Sequence, residues 1–281
     1  MAGILRRKAK RIKDQVMYRF VLEATRRFPI GNDDHLLFLP DRLERPEGKR
    51  ILVMAPHYDD ETLGPGGTLV KHSQAGEKVH VLFFTDGRAG NPGGWTEAEL
   101  IETRRREARQ AAKMLGIEDL RFLDYPDQAL PVDDASIHAV RSVFESVLPD
   151  LVYMPFPLDV HPDHAATAHI TVAAALAAHS TAAVICYEAA CPLMPNLVIP
   201  ITGQIETKRE AIRCYQTQMA TNDYIHAIAD GLNRFRTHGL LGGKGYAEAF
   251  FATDWGYLDT LLQRLNLGIT RRRRGTDRRS H

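Results

Sequence analysis

Cysteine is scarce in this chain of 281 residues, with Cys186, Cys191 and Cys214 the only three. The number is odd and no CxxC pair occurs, so no disulfide framework is indicated and a reducing cytoplasm fits best, with the thiols buried or incidental. An excess of charge is missing too. Lys and Arg number 36 against 35 Asp and Glu, a net charge of +1, which argues against nucleic-acid binding by the fold as a whole. No apolar run is long enough to cross a bilayer. The most apolar stretch, Ala165 to Ala190, is interrupted by His169, His179 and Glu188 and reads as a buried helix followed by a strand. The first residues are charged throughout and lack an apolar core segment, so they do not read as a secretory signal. There is no internal repeat. Gly64, Gly66 and Gly67 lack the spacing of a dinucleotide fingerprint and are read as a tight turn with close packing. The alternative for them, a non-catalytic module cradling phosphate at a helix N-terminus, predicts a protein that purifies without metal.

What is present fits one large domain with extensions. Residues 1–28 carry Ile12, Val16 and Phe20 on one helical face and Arg6, Arg7, Lys8, Lys10, Arg11 and Lys13 in the first half. Two readings stay open there: a helix packed on the domain with solvated charges, or peripheral contact with an anionic membrane or a partner. The body alternates short apolar strands (51–54, 79–85, 121–123, 151–154 and about 184–187) with helices at 66–75, 97–115, 136–148 and from about 164. Gly116 is placed to close the second of these helices. Strands separated by helices of this length imply βαβ units and an α/β, Rossmann-like three-layer fold with a largely parallel sheet. Residues 192–202 read as loop, 206–219 and 224–236 as helices, and 240–245 as a Gly-rich loop. The division expected is a basic helix and lead-in over 1–45, a catalytic domain over 46–268 and a basic disordered tail over 269–281.

Two polar clusters follow two of these strands, where sites form in open parallel sheets. One is Pro56-His57-Tyr58-Asp59-Asp60-Glu61, after the strand at 51–54; the other is His161-Pro162-Asp163-His164, after the strand at 151–154. A catalytic zinc takes three His or carboxylate ligands and keeps one position open for water. His57, Asp60 and His164 can converge in that way. Adjacent carboxylates such as Asp59 and Asp60 point in different directions, so one can bind metal while the other serves as a base. Either cluster alone is better explained by caps and a structural histidine. Two together favour a metal hydrolase.

At these residues the sequence resembles the PIG-L/LmbE family of N-acetylglucosaminyl deacetylases. The resemblance rests on PHYDDETLGPGG at 56–67 and MPFPLDVHPDH at 154–164, with support from TDGRAG (85–90), RRREARQAAKMLG (104–116), YPDQAL (125–130), KREAIRCYQTQ (208–218) and YAEAF (246–250). It covers roughly residues 50–255. Tyr58 departs from the family's usual Pro, which loosens the turn and brings a hydroxyl toward the site.

The resemblance implies Zn2+ held by His57, Asp60 and His164, Asp59 as general base, and protonated His161 stabilising the oxyanion. It implies that Asp163 orients or charges a neighbouring histidine. Arg88 and Arg104 become candidate substrate contacts, with a surface ion pair as the other reading of each. The activity implied is removal of the N-acetyl group from a GlcNAc-containing glycoconjugate or sugar precursor, releasing acetate. An amidase of larger N-acyl amino-sugar conjugates of the mycothiol type, with the same zinc chemistry, is the alternative. The partner expected is thus a small-molecule amino-sugar conjugate. Oligomeric state is left open. Loops at 87–96, 125–135 and 191–203 are expected to form the rim that selects the substrate.

Overall fold

The computed structural model describes residues 40–276 except position 239; the expected basic helix over 1–28 lies outside them. Eight strands form one sheet: β1 (Asp41–Arg42), β2 (Arg50–Ala55), β3 (Lys78–Thr85), β4 (Asp119–Tyr125), β5 (Leu151–Pro155), β6 (Ala183–Tyr187), β7 (Leu197–Pro200) and β8 (Ala247–Thr253). Their spatial order is β1-β7-β8-β6-β5-β2-β3-β4. All neighbours run parallel except the pairs that β8 makes with β6 and β7. The expected α/β architecture with a largely parallel sheet is therefore what the chain forms.

Side-chain alternation along the strands divides the core in two. Ile51 and Val53 of β2, with Val81 and Phe83 of β3, point to one face. Leu52, Met54, Leu82 and Phe84 point to the other. Helices α2 (Gly66–Gln74), α3 (Glu97–Leu115) and α6 (Ile205–Cys214) cover the first face. The second is covered by α4 (Asp134–Val147), α5 (Pro162–Ala177) and α9 (Trp255–Thr276). Buried on both sides, the central strands read as continuous apolar runs, as parallel strands do.

Local chemistry sets the helix ends. Thr96 and Glu99 form a capping box at the start of α3, and Gly116 closes it in the left-handed conformation (φ 75°). Pro162 occupies the first turn of α5, where its missing N–H is no loss.

Three segments differ from the sequence expectation. The loop at 192–202 contains β7, whose partner β8 lies some fifty residues on, and Asn196 brackets Ala252 with bonds to its carbonyl (2.8 Å) and from its N–H (2.7 Å). The helix expected over 206–219 breaks at Tyr215 (ψ 59°) into α6 and the single turn α7 (Gln216–Met219). Tyr215 is fully buried and its hydroxyl donates to Glu61 Oε1 at 2.5 Å, so a tertiary bond decides the break. The expected helix at 224–236 is a π-helix over Ile225–Leu232, running into the short α8 (Asn233–Phe235). The expected tail over 269–281 lies partly outside the described residues, and the last helix, α9, ends at Thr276.

A candidate metal centre at the carboxyl end of the sheet

From β2 the chain moves one way to β3 and β4, then returns to place β5 on the other side of β2. The crevice at this reversal is where open α/β sheets bind ligands. Both polar clusters enter it, one in the turn after β2 and one in the loop after β5 and the first turn of α5.

Asp59 begins the short helix α1 (Asp60–Leu63) with φ 120°, a conformation that costs a non-glycine residue about 1–3 kcal/mol. The Asp60 carboxylate turns back, its Oδ2 accepting from the His57 N–H (2.9 Å) and lying 3.2 Å from His57 Nδ1. His164, on the first turn of α5, brings Nε2 to 3.2 Å from the same Asp60 oxygen and 3.3 Å from His57 Nδ1. Two imidazole nitrogens and one carboxylate oxygen thus form a nearly equilateral triangle. Its edges match the roughly 3.3 Å between ligands of a tetrahedral zinc with bonds of about 2.0–2.1 Å.

The far side of each ring is held as well. His57 Nε2 lies 3.1 Å from Asp163 Oδ2 and 3.3 Å from Asp127 Oδ1. His164 Nδ1 lies 3.2 Å from Asp159 Oδ2, and both atoms are buried with no other partner. Carboxylates behind metal-binding imidazoles fix ring orientation and raise basicity. Asp163 also accepts the N–H groups of Gln128 (2.7 Å) and Leu130 (3.3 Å), which ties the loop after β4 to the site.

Protonation follows from this crowding. Burial opposes a charge on His57, yet Asp127, Asp163 and Asp60 outweigh it and hold its pKa well above the ordinary value. His164 behaves likewise: burial is overcome by Asp60 and Asp159, and the pKa rises to about 9. Asp60, despite its own burial, is kept ionised by His164 and His57. The cluster therefore demands positive charge between its carboxylates. A divalent cation on a two-imidazole, one-carboxylate donor set satisfies that demand, so the residues fit a metal.

Asp59 faces the other way. Burial, reinforced by the neighbouring Asp60 charge, pushes its pKa well up. Gln218 of α7 donates from Nε2 to Asp59 Oδ2 at 2.6 Å. His161 stands beside the triangle, with its ring centroid 4.6 Å from that of His57. Its Nδ1 accepts the Asp163 N–H (3.2 Å), so the ring proton of the neutral form sits on Nε2. Burial and the charges of His57 and His164 lower its pKa. A cleft of about 310 Å³ opens over these groups, its wall completed by Gly87, Gln128, Asn222 and Tyr224.

The structure therefore brings His57, Asp59, Asp60, His161, Asp163 and His164 together. It places the two arginines differently. Arg104 lines the cleft, but its guanidinium donates to the carbonyls of Gly87 (2.5 Å), Ala89 (2.7 Å) and Gly90 (3.0 Å) and to Thr217 Oγ1 (3.3 Å). It fastens the loop after β3. Arg88 pairs with Asp86 and Glu97 outside the cleft lining, the ion-pair reading. The Tyr58 ring packs on Phe83 and Phe122 in the core, and its hydroxyl is influenced by Arg105 and Asp124 rather than reaching the triangle. Sequence reasoning missed Asp127, Asp159 and Gln218. The first two follow strand ends, the signal that revealed the other ligand turns; Gln218 carries no such signal.

An α/β protein with a candidate His/Asp metal centre at its switch point is what the fold and site define. Residues 52–175 match the family described as GlcNAc-PI de-N-acetylase, and the chain carries a PIG-L family domain. It is 28% identical over 226 residues to the diacetylchitobiose deacetylase of Thermococcus kodakarensis, covering 71% of this chain and 81% of that one. A 4-oxalmesaconate hydratase of Pseudomonas putida is 26% identical over 226 residues, covering 71% and 87%. The solved structure of N,N'-diacetylchitobiose deacetylase from Pyrococcus horikoshii shares the fold, with a TM-score of 0.68, 24% identity and coverage of 85% of this chain and 94% of that one.

Proposed function

We propose that this chain hydrolyses the N-acetyl amide of a GlcNAc-containing glycoconjugate or sugar precursor, with Zn2+ held by His57, Asp60 and His164. The observation that carries the reading is the triangle of His57 Nδ1, Asp60 Oδ2 and His164 Nε2, with edges of 3.2, 3.2 and 3.3 Å, beside the buried Asp59 carboxylate. The family described as GlcNAc-PI de-N-acetylase and the deacetylase relative support the substrate class.

Zinc bound there supplies a Lewis acid that polarises the acetamide carbonyl and lowers the pKa of water toward about 7. The chain's own residues do the rest. Asp59 accepts a proton from the attacking water, its carboxylate held toward the cleft by Gln218. His161 donates from Nε2 to the carbonyl oxygen as negative charge develops there. Asp163 and Asp159 hold the His57 and His164 rings. The proton on Asp59 passes to the departing amine as the C–N bond breaks, leaving acetate and the free amino sugar.

A relative named as a hydratase has a similar sequence, so chemistry and not fold decides the reading. The test is acetate release by the zinc-loaded protein across N-acetylated amino sugars, from GlcNAc to longer N-acyl conjugates. Release from the GlcNAc compounds is expected. No acetate from any substrate at full zinc occupancy overturns the proposal. Release confined to the large conjugates transfers it to the amidase alternative.

Localisation and membrane contact belong to the same proposal. No helix among the described residues is long and apolar enough to cross a membrane. The basic, apolar-striped sequence of residues 1–28 supports peripheral contact with anionic lipid from the cytoplasmic side. Sedimentation with anionic liposomes is expected for the full chain, and binding that survives deletion of 1–28 overturns this part.

A further inference from the structure

A second cleft, of about 360 Å³, lies between α3 and the corner where α6 meets α7, and the loop after β3 borders it through Pro92 and Trp95. It backs onto the metal cleft. Ala220 lines one and Thr221 the other, and neighbouring Cα atoms are about 3.8 Å apart. Gly90 and Pro92, two residues apart, divide in the same way. The partition between them is built from bonded groups. Glu107 Oε1 accepts the Thr217 N–H (2.9 Å), Glu107 Oε2 accepts the Thr217 hydroxyl (2.7 Å), and Arg104 donates to the same hydroxyl from the metal side.

The lining has a definite chemistry. Trp95 is 40% exposed, and its indole N–H has no partner among the described residues. The amides of Gln110 and Gln216 are likewise uncommitted within the described residues, while Arg106 spends one N–H on Thr103 (3.2 Å). Both Glu107 oxygens are already occupied by Thr217, so the cleft presents no free carboxylate for a metal or a cationic ligand. A flat amphipathic ring beside planar donor–acceptor amides matches a neutral pyranose, which has an apolar C–H face and a rim of hydroxyls.

We propose that this second cleft is a carbohydrate subsite that holds a further pyranose of the substrate while the N-acetylated sugar occupies the metal cleft. The proposal rests on the deacetylase reading for its kinetics but not for its binding. It assigns substrate selection to the loop after β3 and to Gln110 and Gln216, where nothing about the metal centre requires them. Oligosaccharides of GlcNAc are then better substrates than GlcNAc itself. The expected advantage from the stacked ring is about three- to tenfold in kcat/KM.

The protein contains its own reporter. Its two tryptophans are Trp95 and Trp255, and Trp255 is buried on the opposite face of the sheet with its N–H bonded to the Ala182 carbonyl (2.9 Å). Titration of the zinc-loaded Asp59→Asn protein with a GlcNAc trisaccharide is expected to shift Trp95 emission, and GlcNAc at equal concentration is expected to shift it less. In the active protein, Trp95→Ala and Gln216→Ala should each lower the ratio of kcat/KM for trisaccharide over monosaccharide, mainly through KM. Acetate release with a ratio indifferent to both substitutions overturns the subsite and leaves the deacetylase standing. A Trp95-dependent titration without acetate release from any substrate does the reverse.

Discussion

Gln218 Nε2 lies 2.6 Å from Asp59 Oδ2, although 159 residues separate the two in the chain. The contact joins a strained turn after the second strand to a single helical turn near the other end of the domain. It gives the buried carboxylate a donor outside the triangle of His57, Asp60 and His164. On the proposed reading, the base and the ligand, adjacent in sequence, are thereby kept to separate tasks.

Asp59→Asn is expected to keep its zinc and its fold and to lose about two to four powers of ten in turnover, the range for a general base. Gln218→Leu should lose less, because it removes the hydrogen bond and not the carboxylate. Turnover and metal content measured together check both. Wild-type turnover in Asp59→Asn would remove Asp59 as the base.

His164→Ala removes one corner of the triangle and leaves Asp60 and Asp159 facing each other's charge without a nitrogen between them. Zinc and activity should disappear together. Metal analysis after dialysis against zinc-free buffer decides it, and full occupancy in the variant would contradict the ligand assignment.

For Asp163→Asn the expectation is milder and more specific. The His57 ring loses one of the two carboxylates behind its Nε2, keeps Asp127 and stays in place, so zinc affinity should fall by at most about 10- to 100-fold. Competition with a chelator of known affinity measures this. An unchanged affinity would mean that Asp163 serves only the backbone of Gln128 and Leu130.

Lys208 and Glu248 form a fully buried pair at 2.6 Å beside the turn that carries the candidate ligands His57 and Asp60. Lys208 also donates to the carbonyls of Leu63 (2.8 Å) and Gly64 (3.1 Å), and Glu248 accepts the N–H groups of Gly67 and Thr68 at the start of α2. Lys208→Met strands a buried carboxylate and should cost about 3–5 kcal/mol in denaturant unfolding. Adding Glu248→Gln should cost less than the sum of the single changes, with a coupling of about 1–3 kcal/mol. Strict additivity would show that the pair does not act as a unit.

His72 is fully buried, its Nδ1 on Glu77 Oε2 (2.5 Å) and its Nε2 on the Tyr153 hydroxyl (2.9 Å). Burial lowers its pKa below the ordinary 6.5, more than Glu77 raises it. The unfolded chain therefore binds the proton more readily than the folded one. The stability this contributes is present above that ordinary value and is lost as pH falls below it. Unfolding midpoints of wild type and His72→Gln, followed between about pH 7.5 and 5.5, should diverge in slope, with the variant flatter. Parallel curves would exclude His72 as the source.

The parallel part of the fold was legible because its strands are short apolar runs ended by turns, and their register needs only local alternation and helix length. The convergence of the three candidate ligands was legible for a related reason: they follow strands, where topology brings separate turns together. What escaped the sequence depends on distant pairing. Leu197–Pro200 reads as loop until β8 lies beside it, and β8 itself was seen only as a family-like segment. Tyr215 breaks a helix whose local composition favours continuity, because Glu61 needs its hydroxyl. Arg104 looked like a substrate contact because the spacing of a helix does not reveal that a glycine-rich loop will fold its carbonyls over it.

The lone antiparallel strand has an implication for the order in which the protein is made. All three candidate ligands have left the ribosome once residue 164 has, yet the open edge of β6 stays unpaired, and the start of α2 lacks its counter-anion, until β8 with Glu248 emerges. A nascent chain cut off at the end of the family-matched stretch would own every metal donor and none of the buttress beneath them. On the proposed reading, metal capture in its final geometry is thus expected late in biosynthesis, after the last strand rather than once the two polar turns exist.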